Sequence, residues 1–230
     1  MRNILITGIG SGLGEALAKE YLDNGDQVYA IGRTFPKQFD HYPHFFFFPY
    51  DLSKTFMIHS EIKPFIQNHT FDLVILNAGI LGEINTLDKL DLEDIKEVME
   101  INVWANKEII DSLSQNSTVL QVVGISSGAA VNASKGWAAY TLSKAGLNTL
   151  LKLYAHELPH IHFTALAPGI IDTPMSRHII NKVDDTQFPS AKTLKNSYIQ
   201  TPVEAAKFLR ATFPKLLEYE NGSFVDVREM

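Results

Sequence analysis

Short apolar runs alternate with helix-patterned stretches along almost the whole chain, and this alternation leaves few folds open. Asn3–Thr7, Gln27–Gly32, Phe45–Tyr50, Phe71–Asn77, Val119–Ile125, Ile161–Ala167 and Ser223–Val227 read as strands. Between them, Leu13–Asn24, Met57–Asn68, Leu92–Ser114, Ala138–Glu157 and Val203–Thr212 read as helices. In Leu92–Ser114 the apolar residues Ile95, Val98, Met99, Ile109, Ile110 and Leu113 keep helical spacing. Parallel strands need a crossover, and a helical crossover is right-handed. The expected fold is therefore α/β: a doubly wound parallel sheet of Rossmann type, covered by helices on both faces as three layers. No internal repeat, linker or composition shift divides residues 1–230, so one domain is expected. Ser176–Tyr198 is the least regular stretch. In such sheets ligands bind beyond the carboxyl ends of the strands, and the motifs below fall at those ends.

Composition narrows the class. Hydrophobic residues make up 45% of the chain, enough for a sizeable core. The net charge of −6, with no basic cluster, argues against a nucleic-acid partner. With no cysteine there is no disulfide and no thiolate metal site, which fits a reducing cytosol. The N-terminus enters an apolar strand by Ile4 and has no signal-peptide pattern. No apolar run is long enough to span a bilayer, so no membrane association is expected and the location is read as cytoplasmic. His156, His160 and His162 cluster around Pro159 without an acidic or cysteine partner, so no metal is expected. Phe45–Phe48 reads as a buried strand.

The first strand runs into Thr7-Gly8-Ile9-Gly10-Ser11-Gly12-Leu13-Gly14, directly before a helix. Glycine allows a tight turn and close approach of the backbone to a pyrophosphate. The helix start then offers free N–H groups and the positive end of its dipole. The strict G-x-G-x-x-G fingerprint is broken by Leu13 and Glu15. A tight connection with no ligand is the alternative reading. At the end of the second strand, an enzyme for NAD usually carries a carboxylate that holds the ribose 2′-hydroxyl. This chain has Gly32-Arg33-Thr34 there. Arg33 suits a 2′-phosphate, which favours NADP(H). Ser11 supplies no basic partner in the turn.

Tyr140 and Lys144 stand four apart on a predicted helix and so share a face. A neighbouring ammonium stabilises a phenolate, which fits a tyrosine for acid–base work. Ser126 and Ser127 close the preceding strand, where a hydroxyl can bind a substrate oxygen. Asn102 is a poor helix former in mid-helix; a special role and a solvent-facing position both stand as readings.

In order, Thr7-Gly8-x-x-x-Gly12-x-Gly14, Asp51-Leu52, Asn77-Ala78-Gly79, Asn102, Ser127, Tyr140-x-x-x-Lys144 and Pro168-Gly169-x-x-x-Thr173 resemble the short-chain dehydrogenase/reductase family over nearly the whole chain. The resemblance implies a proton donor in Tyr140 and a carbonyl-orienting Ser127. Lys144 would hold the nicotinamide ribose and depress the Tyr140 pKa, and Asn102 would anchor a relay water. Gly8, Ser11, Gly12, Leu13, Gly14, Arg33, Thr34, Asp51, Leu52, Asn77, Ala78, Gly79, Pro168, Gly169, Ile171 and Thr173 would line the cofactor. The resemblance also implies a homodimer or homotetramer built on the two long helices. A closer likeness, to sepiapterin reductases and bacterial benzil reductases, rests on Lys135-Gly136-Trp137, Ala167–Met175 and Asn221–Asp226. It implies a dicarbonyl or pterin substrate bound by Ser127, Trp137, Tyr140 and Met175, with Asp226 as a pterin anchor. Met175 and Ser176–Tyr198 would close over it as a mobile loop. An alcohol dehydrogenase and a catalytically silent cofactor sensor are the alternatives.

Overall fold

Along each strand, alternate side chains go to opposite helical layers, because successive side chains of a strand point to opposite faces. The computed structural model describes residues 1–230. The strands are β1 (Asn3–Thr7), β2 (Gln27–Gly32), β3 (Phe45–Pro49), β4 (Thr70–Phe71), β5 (Leu73–Leu76), β6 (Thr118–Val119), β7 (Gln121–Ile125), β8 (His162–Ala167) and β9 (Ser223–Asp226). Seven of them form one parallel sheet in the order β3-β2-β1-β5-β7-β8-β9, and β4 pairs with β6 in a small second sheet. The order reverses between β1 and β5, which opens the crevice where such sheets bind ligands.

The helices are α1 (Gly12–Asp23), α2 (Thr55–Ile66), α3 (Leu92–Met99), α4 (Ala105–Asn116), α5 (Ala129–Asn132), α6 (Ala138–Glu157), α7 (Pro174–Lys182), α8 (Pro189–Lys195) and α9 (Pro202–Thr212). Ile4 and Ile6 of β1 pack with Leu13 and Leu17 of α1 and Leu209 of α9. Leu5 faces the other way, into a core with Ile62 of α2, Ile109 of α4 and Leu151 of α6. Both cores are covered by helices, as the continuous apolar strands require. A Cβ at Gly124 would stand 2.6 Å from Leu151 Cδ1, so that glycine lets α6 lie close on β7. This contact sets the depth at which α6 presents its first turns.

Four features differ from the sequence-based expectation. The single helix over Leu92–Ser114 is broken by a π-helical turn, Glu100–Trp104, between α3 and α4. The strands over Phe71–Asn77 and Val119–Ile125 are each split, at Asp72 and Leu120, where the short β4–β6 pair begins to diverge from the main sheet. Ser176–Tyr198 is not an irregular loop but carries most of α7 and all of α8. Thr173 caps α7 in a reciprocal bond with Ser176, and Pro174 and Pro189 fit the first turns of α7 and α8. Phe45–Phe48 is an edge strand rather than a buried one, and Phe46 is exposed. Phe45 and Phe47 reach the α1 core while Phe48 reaches the α2 core. No helix is long and apolar enough to cross a membrane, and no group of His, Asp and Glu is placed to hold a metal ion.

Candidate active site

The glycine turn is held from behind. Thr7 Oγ1 accepts from the backbone N–H of Asn77 and of Ala78, both at 3.0 Å. Asn77 Nδ2 donates back to the carbonyls of Thr7 and Gly8, at 3.1 and 3.0 Å. A Cβ at Gly14 would stand 2.3 Å from Gly8 O and 2.4 Å from Asn77 Nδ2. Gly14 is therefore needed for packing between the turn, β5 and α1. Gly10 is different: a Cβ there would meet nothing within 4 Å. The space beside it is open, beside the free N–H groups of a helix start whose Ser11 makes no side-chain cap. That is a cradle for an anion.

The turn forms one end of a cavity of about 1200 Å³. Gly8, Ser11, Gly12, Leu13 and Gly14 line it with Arg33, Thr34, Asp51, Leu52, Asn77, Ala78 and Gly79. Pro168, Gly169, Ile171 and Thr173 close it from the β8 side, and Ser127, Trp137, Tyr140, Lys144 and Met175 line its far end. The cavity therefore joins the β1, β2, β3 and β5 ends to the α6 wall. Of the site residues read from the sequence, only Asn102 and Asp226 do not line it. Arg33 is exposed and pairs with no carboxylate within salt-bridge distance. Asp51 Oδ1 accepts from Ser53 N and Oγ, at 3.1 and 3.0 Å, which with nearby Arg33 holds its pKa low. The length, the anion cradle and the open cation at one end fit an extended dinucleotide.

On α6, Tyr140 is half-buried and Lys144 almost fully buried. Lys144 Nζ donates to Ile125 O at 2.7 Å, and it lies 5.5 Å from the Tyr140 ring centroid. Burial pushes Lys144 down to about 8. It also pushes Tyr140 up to about 12, against a lowering by the Ser127 hydroxyl. The expected depression of the tyrosine by the ammonium is not seen: desolvation of the phenolate dominates, and the one opposing effect is the Ser127 hydroxyl. Ser126, in contrast, donates to Asn148 Oδ1 at 2.6 Å and is buried against α6. Ser127 Oγ accepts from Ala129 N at 3.1 Å, and of the two serines it is the one beside Tyr140.

Asn102 lies in the π turn, a feature that often marks functional sites. It is fully buried, not solvent-facing. Its Nδ2 donates to Ile80 O at 2.8 Å and to Ser143 Oγ at 2.9 Å, and its Oδ1 accepts from Ile80 N at 2.8 Å. Ser143 Oγ donates onward to Tyr140 O at 2.8 Å. Asn102 therefore ties the loop after β5 to the first turns of α6. Its backbone carbonyl takes a bond from Asn106 Nδ2 at 2.8 Å. Asn106 and Ser143 were not found by sequence reasoning; the signal was a polar pair at i and i+4 on a buried helix, and a serine one residue before the lysine.

Trp137 is buried with Ile179, Val183, Phe188 and Ala191, and its Nε1 donates to Ser190 of α8. Tyr140 and Met175 pack at the edge of this third cluster. The α7–α8 segment thus covers the far end of the cavity through an apolar patch of its own. Asp226 is placed differently from its expected role. Its carboxylate is buried and takes Arg228 Nε at 2.8 Å and Arg228 N at 3.0 Å, with Nη2 on the other oxygen. The ion pair holds its pKa low. It is Arg228, missed in the sequence, that reaches the cavity.

Residues 2–184 match the short chain dehydrogenase family model, and the chain belongs to that family of oxidoreductases. Its members use NAD(P)(H). The chain is 27% identical to the benzil reductase ((S)-benzoin forming) of Bacillus subtilis, covering 100% of this chain and 99% of that one. It is 28% identical to the sepiapterin reductase of Bos taurus over 67% of this chain and 61% of that one. The fold matches a short chain dehydrogenase family protein from Francisella tularensis with a TM-score of 0.82 and 27% identity, over 99% of this chain and 97% of that one.

Proposed function

We propose that the protein is an NADPH-dependent carbonyl reductase whose substrate is a ketone flanked by a second carbonyl. The observation that carries the reading is the placement of Tyr140, Ser127 and Lys144 on one wall of the cavity whose other end is the glycine cradle. Bound NADPH supplies the hydride. Ser127 orients the carbonyl oxygen, and the Tyr140 hydroxyl, neutral up to high pH, gives that oxygen its proton. A carbonyl held there would become a carbinol, with the hydrogen on oxygen coming from Tyr140 and that on carbon being what the bound cofactor would supply. Lys144 holds the nicotinamide ribose, and its buried ammonium offsets the negative charge left on Tyr140. Asn102 positions the tyrosine through Ser143, and its backbone carbonyl is the point where a relay water would bond. Arg33 takes the 2′-phosphate that distinguishes NADPH. Trp137 and Met175 flank the substrate, and α7 with α8 acts as the lid.

The benzil reductase likeness supports a vicinal dicarbonyl. A pterin is the lesser reading, because the Asp226 carboxylate that would take its donor edge is already held by Arg228. A cytoplasmic setting belongs to the same reading, and a chain without cysteine is compatible with it. Leu142 and Leu153, exposed on α6, and Trp104 ahead of α4 provide apolar surface for a homodimer or homotetramer.

A Tyr140→Phe variant tests the chemistry. Its NADPH oxidation with benzil is expected to fall by about 10²–10⁴-fold, the range for a lost general acid, while NADPH binding followed by fluorescence is kept. Turnover at the wild-type rate would rule Tyr140 out as the donor.

A further inference from the structure

We propose that Arg228 binds the second oxygen of the substrate and so selects dicarbonyls over simple ketones; the inference rests on the reductase reading above. Arg228, in the 3₁₀ turn that follows β9, reaches the cavity beside the catalytic wall. The contact that brings it there is specific. Gly128, the residue after Ser127, has ordinary right-handed backbone angles (φ −57°, ψ −21°) that any residue adopts. A Cβ at Gly128 would nevertheless stand 3.0 Å from Arg228 Nη2. The guanidinium therefore lies close against the residue that follows Ser127. The Asp226 carboxylate fixes that guanidinium from beneath through Nε and Nη2. It is itself buried, while the arginine side chain stays 54% exposed.

This arrangement decides what the site can take. Asp226 balances the charge of Arg228, so no surplus cation is left to favour an anion. Of the five N–H donors of a guanidinium, two go to Asp226 and three remain. A held, charge-balanced donor edge suits the neutral oxygen of a second carbonyl. The first carbonyl then lies between Ser127 and Tyr140.

The test compares benzil with deoxybenzoin, which has a methylene in place of one carbonyl. In the wild type, kcat/KM is expected to favour benzil. In Arg228→Met, kcat/KM for benzil should fall about tenfold to a hundredfold, mainly through KM, as for loss of a charged hydrogen bond. The change for deoxybenzoin should stay within about threefold, with NADPH affinity kept. Because Arg228→Met leaves Asp226 unpaired, Arg228→Lys is measured beside it; it keeps the charge, loses the fork, and should show a smaller loss of the same selectivity. Equal losses on both ketones in the two variants, or no loss on either, would overturn the assignment of Arg228 and leave the reductase standing. A wild type that binds NADPH and reduces neither ketone would overturn the dicarbonyl reading itself, and this inference with it.

Discussion

Lys144, proposed to hold the cofactor ribose, works against stability. Burial lowers its pKa from 10.5 to about 8, which corresponds to roughly 3 kcal/mol of disfavoured ammonium. The unfolded chain holds its proton more tightly than the folded one between those values, so stability rises with pH through that window. Below about 8 the penalty is present in full. A Lys144→Met variant is accordingly expected to be more stable than the wild type at pH 7, by about 1–3 kcal/mol. Urea denaturation at pH 7 and pH 10 checks both parts: the gain should shrink at the higher pH. A gain that is absent, or that grows with pH, would contradict the burial argument. Tyr140 and Lys144 were legible in the sequence because four-residue spacing fixes a shared helix face. The tyrosine pKa was not, because it depends on how much water the fold excludes. The pairing of Asp226 with Arg228 was hidden for a related reason. Sequence shows two opposite charges two residues apart, but only the 3₁₀ turn at the end of β9 brings them into a fork.

Two glycines of one turn are expected to part company at the level of the β1–α1 element. Gly14→Ala forces a methyl against Gly8 O and Asn77 Nδ2 and should cost about 1–3 kcal/mol, as overpacking does, read from urea denaturation. Gly10→Ala meets no protein atom within 4 Å. It should keep the stability and weaken NADPH binding at least about tenfold by occupying the pyrophosphate's place. Unchanged NADPH affinity in Gly10→Ala would move the pyrophosphate away from the turn. The βα alternation was readable because strands and helices bury apolar residues at different periods. The π turn was not. Asn102 and Asn106 keep helical spacing, so their letters fit an unbroken helix with a solvent face; what the letters do not show is that the Asn102 amide is buried within the π turn and bonded to Ile80 and Ser143. The helices of Ser176–Tyr198 were obscured in the same way. Their apolar residues pack on Trp137, a long-range contact that a local pattern does not carry.

At the scale of the whole molecule, the parallel sheet brings the carboxyl ends of β1, β2, β5, β7 and β8 to one crevice, and so assembles residues separated by most of the chain. Arg33 and Tyr140 line the two ends of that crevice, which in the proposed reading take the adenosine and the reacting carbonyl. Arg33→Ala is expected to lower NADPH affinity about tenfold or more and leave NADH little changed, measured as the ratio of KM values. An unchanged ratio would remove the structural basis for NADPH preference. The central claim, reduction of a carbonyl in this cavity, is tested most directly by following the transferred hydrogen. The wild-type protein is incubated with benzil and NADPH dideuterated at the nicotinamide C4, and the product is analysed by mass spectrometry. The account predicts benzoin carrying one deuterium at its carbinol carbon, formed by the wild type and at least about a hundredfold more slowly by Tyr140→Phe. Benzoin without deuterium, or equal formation in both proteins, would contradict it.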